Sequence, residues 1–369
     1  MERREDGRHG YVIEPQLRLV AWEITRRCNL FCAHCRGSAT GEGGANELST
    51  EECLNLVDQI ADVARPILIL SGGEPLMRAD LLDVARYAVR RGLRVVMGTN
   101  GTLLTPEVAS ALKKVPFSRI AVSIDFPEAG RQDEFRGKAG AFEEALEGLK
   151  NARRAGIETQ VNSTISRLNV EYMEALLCLA LEVGAAAFHP FFLVPTGRGR
   201  GLEWAELSPE EYEASLNWIF EKQQELGDRM FFKPTDAPHY MRVVSQRRKE
   251  NHLVSPVRSA GHPANVITRG CLAGTGYCFI SSEGKVQGCG YLDVEAGDVR
   301  KQPFGQIWSE SPLFRNLRDT SNIKGKCGVC EYKPVCGGCR ARAYEATGDY
   351  LESEPYCVYQ PSKHKVTWK

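Results

Sequence analysis

No run of apolar residues in this 369-residue chain reaches the roughly 18 that a membrane-crossing helix needs. The opening MERREDGRHG is charged and has none of the apolar core of a secretion signal, so a cytoplasmic location is expected. Neither sign of charge is in excess. The 47 basic and 47 acidic residues argue against a nucleic-acid footprint and against a polybasic membrane anchor. Internal repeats and low-complexity tracts are missing, which leaves the chain to be divided by its hydrophobic pattern. What remains is an ordinary globular composition, 43% hydrophobic and 25% charged, long enough for two domains or one large domain with an extension.

Thirteen cysteines are the exception to this plainness. In a reducing compartment disulfides do not persist, so such a number points to metal or catalysis. Three lie in CNLFCAHC (Cys28, Cys32, Cys35), two stand alone (Cys53, Cys178), and eight fall between 271 and 357. The isolated pair read as ordinary buried thiols, because free cysteine packs as a small hydrophobe.

Between residues 18 and 195 strand-like and helix-like segments alternate. Strands are expected at 18–24, 67–70, 94–98, 119–124, 158–165 and 186–193. A capping box of Ser49 with Glu52 opens the first helix, and Thr105 followed by Pro106 opens the third. Helices are also expected over 78–91, 141–155 and 170–183. Parallel neighbours need crossover helices, so six βα units imply a parallel sheet, either an incomplete (β/α)6 TIM-like barrel or an open doubly wound sheet. In both, the active site lies at the carboxyl ends of the strands, which is where CNLFCAHC follows the first strand. Residues 1–17 read as an N-terminal segment and 196–265 as a polar helical connector, with a second capping box at Ser208 and Glu211. Residues 266–369 read as a small Cys-rich domain held by its metal ligands rather than by a large apolar core.

Three thiolates at CxxxCxxC spacing can ligate three irons of a 4Fe–4S cube and leave the fourth iron open. Zinc would want a fourth ligand, and His34 sits between two cysteines where all four could hardly converge on one ion. Short polar motifs follow at successive strand ends. Ser71, Gly72, Gly73, Glu74 and Pro75 combine close backbone approach with a carboxylate suited to an ammonium group. Thr99, Asn100 and Gly101 come next, then Ser123, Ile124 and Asp125, suited to ribose hydroxyls or a carboxylate.

In this order CNLFCAHC, SGGEP, TNG and SID resemble the radical S-adenosylmethionine (SAM) superfamily over residues 18–195. That resemblance implies a partial six-strand barrel in which Cys28, Cys32 and Cys35 hold a cluster whose open iron chelates SAM. His34 would take the place of the aromatic beside adenine, Gly72–Glu74 would meet the methionine amino group, and Asn100, Ser123 and Asp125 would complete the cofactor cradle. It also implies an external one-electron donor such as flavodoxin or ferredoxin.

The later cysteines are Cys271, Cys278 and Cys289, then Cys327, Cys330, Cys336 and Cys339, and finally Cys357. Spacing alone suits zinc ribbons as well as iron–sulfur sites. The pattern resembles the SPASM extension, which carries two auxiliary 4Fe–4S clusters and would bring the total to three. That likeness implies Cys271, Cys278, Cys289 and Cys339 on the first and Cys327, Cys330, Cys336 and Cys357 on the second. The last gap in the four-Cys block is two residues where many members have three. With every ligand present neither auxiliary cluster offers an open iron, so both would transfer electrons; without Cys278 such a site would open.

Longer segments, among them LRLVAWEITRRCNL, AFHPFFLVPTGRGRG and RGCLAGTGYCFIS, resemble the tetrapyrrole branch of the SPASM enzymes, above all its haem-forming members. Those remove two propionate carboxyls of iron-coproporphyrin III oxidatively to leave vinyl groups. The alternatives are another modified tetrapyrrole or a peptide substrate, the latter weakened because only about 17 residues precede the first strand. A substrate with four carboxylates needs cationic partners, for which Arg198 and Arg200 are candidates. In Asp236-Ala-Pro-His239-Tyr240, His239 is a candidate ligand for substrate iron.

Overall fold

A computed structural model describes residues 2–3, 9–250 and 269–362. All six expected βα strands form: β1 (Leu19–Thr25), β2 (Ile67–Gly72), β3 (Arg94–Thr99), β4 (Arg119–Ser123), β5 (Thr159–Ile165) and β6 (Ala187–Phe192). A two-residue strand, β7 (Phe231–Phe232), continues the parallel order beyond β6. On the other side β8 (Tyr277–Ile280) pairs parallel with β1, and β9 (Lys285–Cys289) and β10 (Leu292–Asp298) follow antiparallel. The resulting ten-stranded sheet runs β10-β9-β8-β1-β2-β3-β4-β5-β6-β7. A separate short ribbon pairs Glu2–Arg3 with His9–Gly10.

Strand alternation sorts the side chains. Val20, Trp22 and Ile24 of β1, Leu68 and Leu70 of β2, and Ile120 and Val122 of β4 are fully buried in the outer core. They pack under the crossover helices α1 (Thr50–Val63), α2 (Leu81–Arg90), α3 (Pro106–Lys114), α5 (Ala141–Arg154) and α6 (Met173–Glu182). Inward positions carry Glu23, Ser71, Gly98, Ser123 and Asn162 instead, so the interior is polar. Both capping boxes form, at Ser49 with Glu52 and at Ser208 with Glu211, the second opening α7 (Pro209–Leu226). No helix among the described residues is long and apolar enough to cross a membrane.

Two expectations need correction. The Cys-rich region is not held by ligands alone: β8 lies directly on the edge of β1, and Phe304, Ile307, Trp308 and Phe314 belong to the barrel's own apolar core. A parallel strand there covers an edge that would otherwise present unpaired backbone groups. The boundary drawn between 265 and 266 falls outside the described residues. Of the isolated thiols, Cys53 is buried under α1 as expected, whereas Cys178 on α6 is exposed.

Glu52 ties the two regions together. Its carboxylate takes two hydrogen bonds from Arg300, just past β10, at 2.6 and 2.9 Å, while also closing the α1 cap. The Arg300 hydrogen bond is the main cause that pulls Glu52 down to about 2. A depressed carboxylate stabilises above its unfolded value and loses that contribution as pH falls through its folded one. The stability gap between wild type and Glu52→Gln is therefore expected at pH 7 and should close between about pH 4.5 and 2, as urea titrations at several pH values would record.

Candidate active site

The chain leaves β1 at Thr25 and folds back so that Cys28 N donates to Thr40 O at 2.8 Å, closing a loop around three thiols. Cys28 and Cys32 are buried and Cys35 half-buried. Each sulfur receives a donor: Leu30 N to Cys28 at 3.4 Å, Arg136 Nη1 to Cys32 at 3.7 Å and Ala39 N to Cys35 at 3.4 Å. Burial pushes Cys28 up to about 11, and Glu74 and the other two thiols add to it. Gathering three thiolates in this way is costly unless cationic iron offsets the charge, so the donor set fits a cluster. Among the described residues no three His, Cys, Asp or Glu side chains converge as they would around a single ion.

The glycines of SGGEP are required by packing. A Cβ on Gly72 would stand 2.2 Å from Thr25 O, and one on Gly73 would stand 2.4 Å from Arg27 O. Gly73 N and Glu74 N donate to those same carbonyls at 2.8 and 2.7 Å, so this turn is laid directly on the strand that leads to Cys28. The fully buried Glu74 carboxylate accepts from Thr99 Oγ1, Asn100 N and Leu76 N, and burial raises it. It thus clamps the end of β3 to the end of β2, with little acceptor capacity left for a ligand. Asn100 in turn donates from Nδ2 to Asn29 Oδ1 at 2.8 Å and reaches Cys28 Sγ at 3.9 Å.

Asp125, expected to face a ribose, is spent on the protein. Its Oδ1 accepts from Thr164 N at 2.7 Å, and its Oδ2 lies 2.5 Å from Arg136 Nη2. Arg136 ends α4 (Ala129–Arg136), a helix the sequence pattern gave no sign of, and its other nitrogen is the donor to Cys32. Asp125, Arg136 and Cys32 form one buried chain of charge from β4 to the loop. His34 stacks on Phe135 at 4.5 Å, its Nε2 3.8 Å from Asp125 Oδ2. Ser123 keeps an inward, partly open position at the end of β4.

Arg198 also belongs to the loop rather than to a substrate. Its Nε donates to Cys32 O at 3.0 Å, its Nη1 to Ala39 O at 2.7 Å, and its plane covers Phe31 at 3.9 Å. Beside it Gly197, with φ +56°, has room for no Cβ: one would meet Arg36 O at 2.2 Å. Gly197→Ala is expected to lift this strap, so that a chelator would strip iron from the first site several times faster than in wild type.

The later cysteines separate into groups. Cys336 feels the charges of Cys327, Cys330 and Cys357, and its sulfur accepts from Gly338 N at 3.4 Å. Cys327 accepts from Glu354 N at 3.3 Å. Cys289 feels Cys339 and Cys271, and Cys339 accepts from Arg342 N at 3.4 Å. Cys271 is fixed beside both groups, its N donating to Cys336 O at 3.0 Å. Cys278 joins neither. It is fully buried in the outer core, and the charged group it feels is Arg318.

Residues 22–180 match the radical SAM superfamily, and residues 271–340 match SPASM, an iron–sulfur cluster-binding domain. An AdoMet-dependent heme synthase of Methanosarcina barkeri (strain Fusaro) is 52% identical over 346 residues, 94% of this chain and 97% of the relative. The chain belongs to the radical SAM superfamily. A second AdoMet-dependent heme synthase, from Nitratidesulfovibrio vulgaris, is 47% identical over 97% of this chain and 95% of its own. Among solved structures, Streptococcus suis SuiB bound to S-adenosylmethionine shares the fold, with a TM-score of 0.72 at 14% identity over 93% of this chain and 77% of that one.

In this radical SAM enzyme the interior beyond β4 holds residues that motif reading missed. Ser123 is in register with Asn162, and Asn162 with His189. Lys233 follows β7 in the next position, its N donating to Phe188 O. Gln160 Nε2 bonds both Asn162 Oδ1 at 2.6 Å and His189 Nδ1 at 2.9 Å. Burial, then Lys233 and Arg119, hold His189 well below its ordinary value, so its imidazole is neutral. Inward parity in AFHPFFL was the available signal for His189. Arg200 is exposed, 3.8 Å from Glu345. His239 is 1% exposed and packs on Tyr212 at 4.4 Å, which shuts it off from any substrate iron.

Proposed function

We propose that this radical SAM enzyme makes haem by oxidative decarboxylation of two propionates of iron-coproporphyrin III to vinyl groups. The reading is carried by the interior polar row Ser123, Asn162, His189 and Lys233, in a chain similar along nearly its full length to AdoMet-dependent heme synthases. With a reduced cluster on Cys28, Cys32 and Cys35, SAM would be cleaved to methionine and a 5′-deoxyadenosyl radical.

The chain's own residues then divide the work. Glu74, Asn100 and the Gly72–Gly73 turn hold the cofactor side of the barrel rigid, and the Asp125–Arg136 pair fixes the cysteine loop above it. Lys233 and the neutral donors beside it bind a propionate carboxylate, which a cation holds better than any neutral group. One hydrogen atom leaves the propionate β-carbon for the radical, giving 5′-deoxyadenosine. The bond to the carboxylate breaks, carbon dioxide departs, and one electron must go to an acceptor to leave the vinyl group. The later cysteines would hold iron–sulfur clusters that could supply that acceptor. Two such cycles consume two SAM.

Lys233→Met removes the charge while keeping the length of the side chain. It is expected to weaken iron-coproporphyrin III binding about tenfold, as for one charge-assisted hydrogen bond lost. Absorption titration of the porphyrin measures this, and equal affinity in the two proteins would take Lys233 out of the site. Absence of binding to the wild type would remove the proposed substrate.

A further inference from the structure

The first auxiliary site lacks a fourth cysteine. Along β8 side chains alternate between the two faces of the sheet, and Cys278 pairs in register with Val20 of β1. Both are fully buried on the outer face with Trp22, Ile280 and Val286. Its neighbours on the strand point the other way: Phe279 lies 4.4 Å under the Arg36 guanidinium, and Tyr277 feels the charge of Cys289. Reaching Cys289 and Cys339 would require Cys278 to rotate through the sheet, breaking the β1 ladder.

A different segment lies against the backbone of those cysteines: a Cβ on Gly270, next to Cys271, would stand 2.6 Å from Pro238 O. Asp236 stands just beyond the β6–β7 edge, where Thr235 pairs with Phe191. Its backbone has φ +58°, a conformation Asp tolerates better than most residues. Its carbonyl is pinned by Tyr212 Oη at 2.8 Å and Arg342 Nη1 at 2.9 Å. Of the carboxylate, Oδ2 is closed to solvent and has no hydrogen-bond partner among the described residues. Arg342, whose backbone N donates to Cys339 Sγ at 3.4 Å, thus ties the Asp236 turn to the thiols, and beyond burial the Asp236 carboxylate raises Cys289 and Cys339 alike. The charged groups around it are Arg342, Lys233 and Glu354. On this half-buried side chain an enclosed, unpartnered carboxylate oxygen is costly, and a metal ion is one of the few partners that would repay it.

We infer that the first auxiliary site is built from the thiolates of Cys271, Cys289 and Cys339 with the carboxylate of Asp236 as fourth ligand, and that Cys278 is a core residue. The inference rests on the reading that these thiols hold an iron–sulfur cluster. An oxygen ligand would make one iron of that cluster distinct and more readily exchanged than its thiolate-bound neighbours.

The test uses the full chain, reconstituted anaerobically with iron and sulfide, and reads iron content together with the electron paramagnetic resonance of the reduced protein. A Cys28→Ala, Cys32→Ala, Cys35→Ala background leaves only the later clusters visible. In that background Cys278→Val fills the same apolar space and is expected to keep all the iron and the parental spectrum. Cys278→Ala, which leaves only a small cavity, provides the same reading if the valine does not fold. Asp236→Asn suits the left-handed backbone and removes the charge. It is expected to shift one signal and make that cluster bind added imidazole, or to lose that cluster alone with circular dichroism unchanged. Loss of about four irons per chain in the folded Cys278 variants overturns the inference, as does an Asp236→Asn spectrum identical to its parent with or without imidazole. A wild type with no cluster at these thiols overturns the cluster reading as well, and iron content distinguishes that failure from the others.

Discussion

Replacing Cys28, Cys32 and Cys35 with alanine is expected to abolish SAM cleavage outright while leaving most of the iron in place. The three thiols share one loop between β1 and Thr40, and no other cysteine contributes to it. The later thiols are fixed by different elements, Cys271 against the 335–336 backbone and Cys327 against Glu354. The first loop meets them through Arg36, whose Nη1 donates to Gly290 O at 3.2 Å and which these substitutions leave in place, so the reconstituted variant should lose about a third of its iron, one cluster of the three proposed. Iron and sulfide quantitation beside 5′-deoxyadenosine detection separates the two effects. Loss of nearly all the iron would mean that the sites assemble as one unit.

Arg136→Met is expected to be the most damaging single substitution outside the cysteines. Arg136 and Asp125 are each buried, and their contact at 2.5 Å is the one charge pairing that keeps the Asp125 carboxylate from standing alone in the interior. Removing one partner of such a pair costs about 3–5 kcal/mol, because the other charge is left uncompensated. The same substitution strips Cys32 of its guanidinium donor, which should change the potential of the first cluster as well as stability. Denaturant unfolding should therefore register the full loss. The double variant Arg136→Met, Asp125→Asn should recover a large part of it, since no buried charge then lacks a partner. An unchanged midpoint in the single variant would show that the pair is not the support described.

Some of this was readable in the sequence. Local motifs with fixed chain geometry survive translation into three dimensions: capping residues opened the helices they were expected to open, and the glycines of SGGEP lie where only glycine fits. The six strands were legible because each is followed by a helix of clear apolar period. The four strands that complete the sheet were not, since Phe231–Phe232 and Tyr277–Ile280 are too short to show a period and β9 and β10 are interrupted by glycine. Spacing failed where a face had to be known. Cys278 has an acceptable distance along the chain from Cys271 and Cys289, yet strand parity turns it away from both. Charged candidates failed for another reason. Arg198 and Asp125 are polar residues at strand ends, as a ligand site requires, but Nε and Nη1 of Arg198 are spent on Cys32 O and Ala39 O, and Asp125 on Thr164 N and Arg136. In the DAPHY segment the imidazole of His239 is the conspicuous group, whereas Asp236 is the one proposed as a ligand, on its enclosed and unpartnered Oδ2 among the described residues.

Removal of two propionate carboxyls from iron-coproporphyrin III by an enzyme with a three-thiolate SAM site is open to direct measurement. Anaerobic incubation of the reduced, reconstituted protein with SAM and that porphyrin, followed by mass spectrometry of the tetrapyrrole, tests it most directly. A monovinyl intermediate and then haem b are expected, with two 5′-deoxyadenosine formed per haem. SAM cleavage that leaves the porphyrin mass unchanged would contradict it.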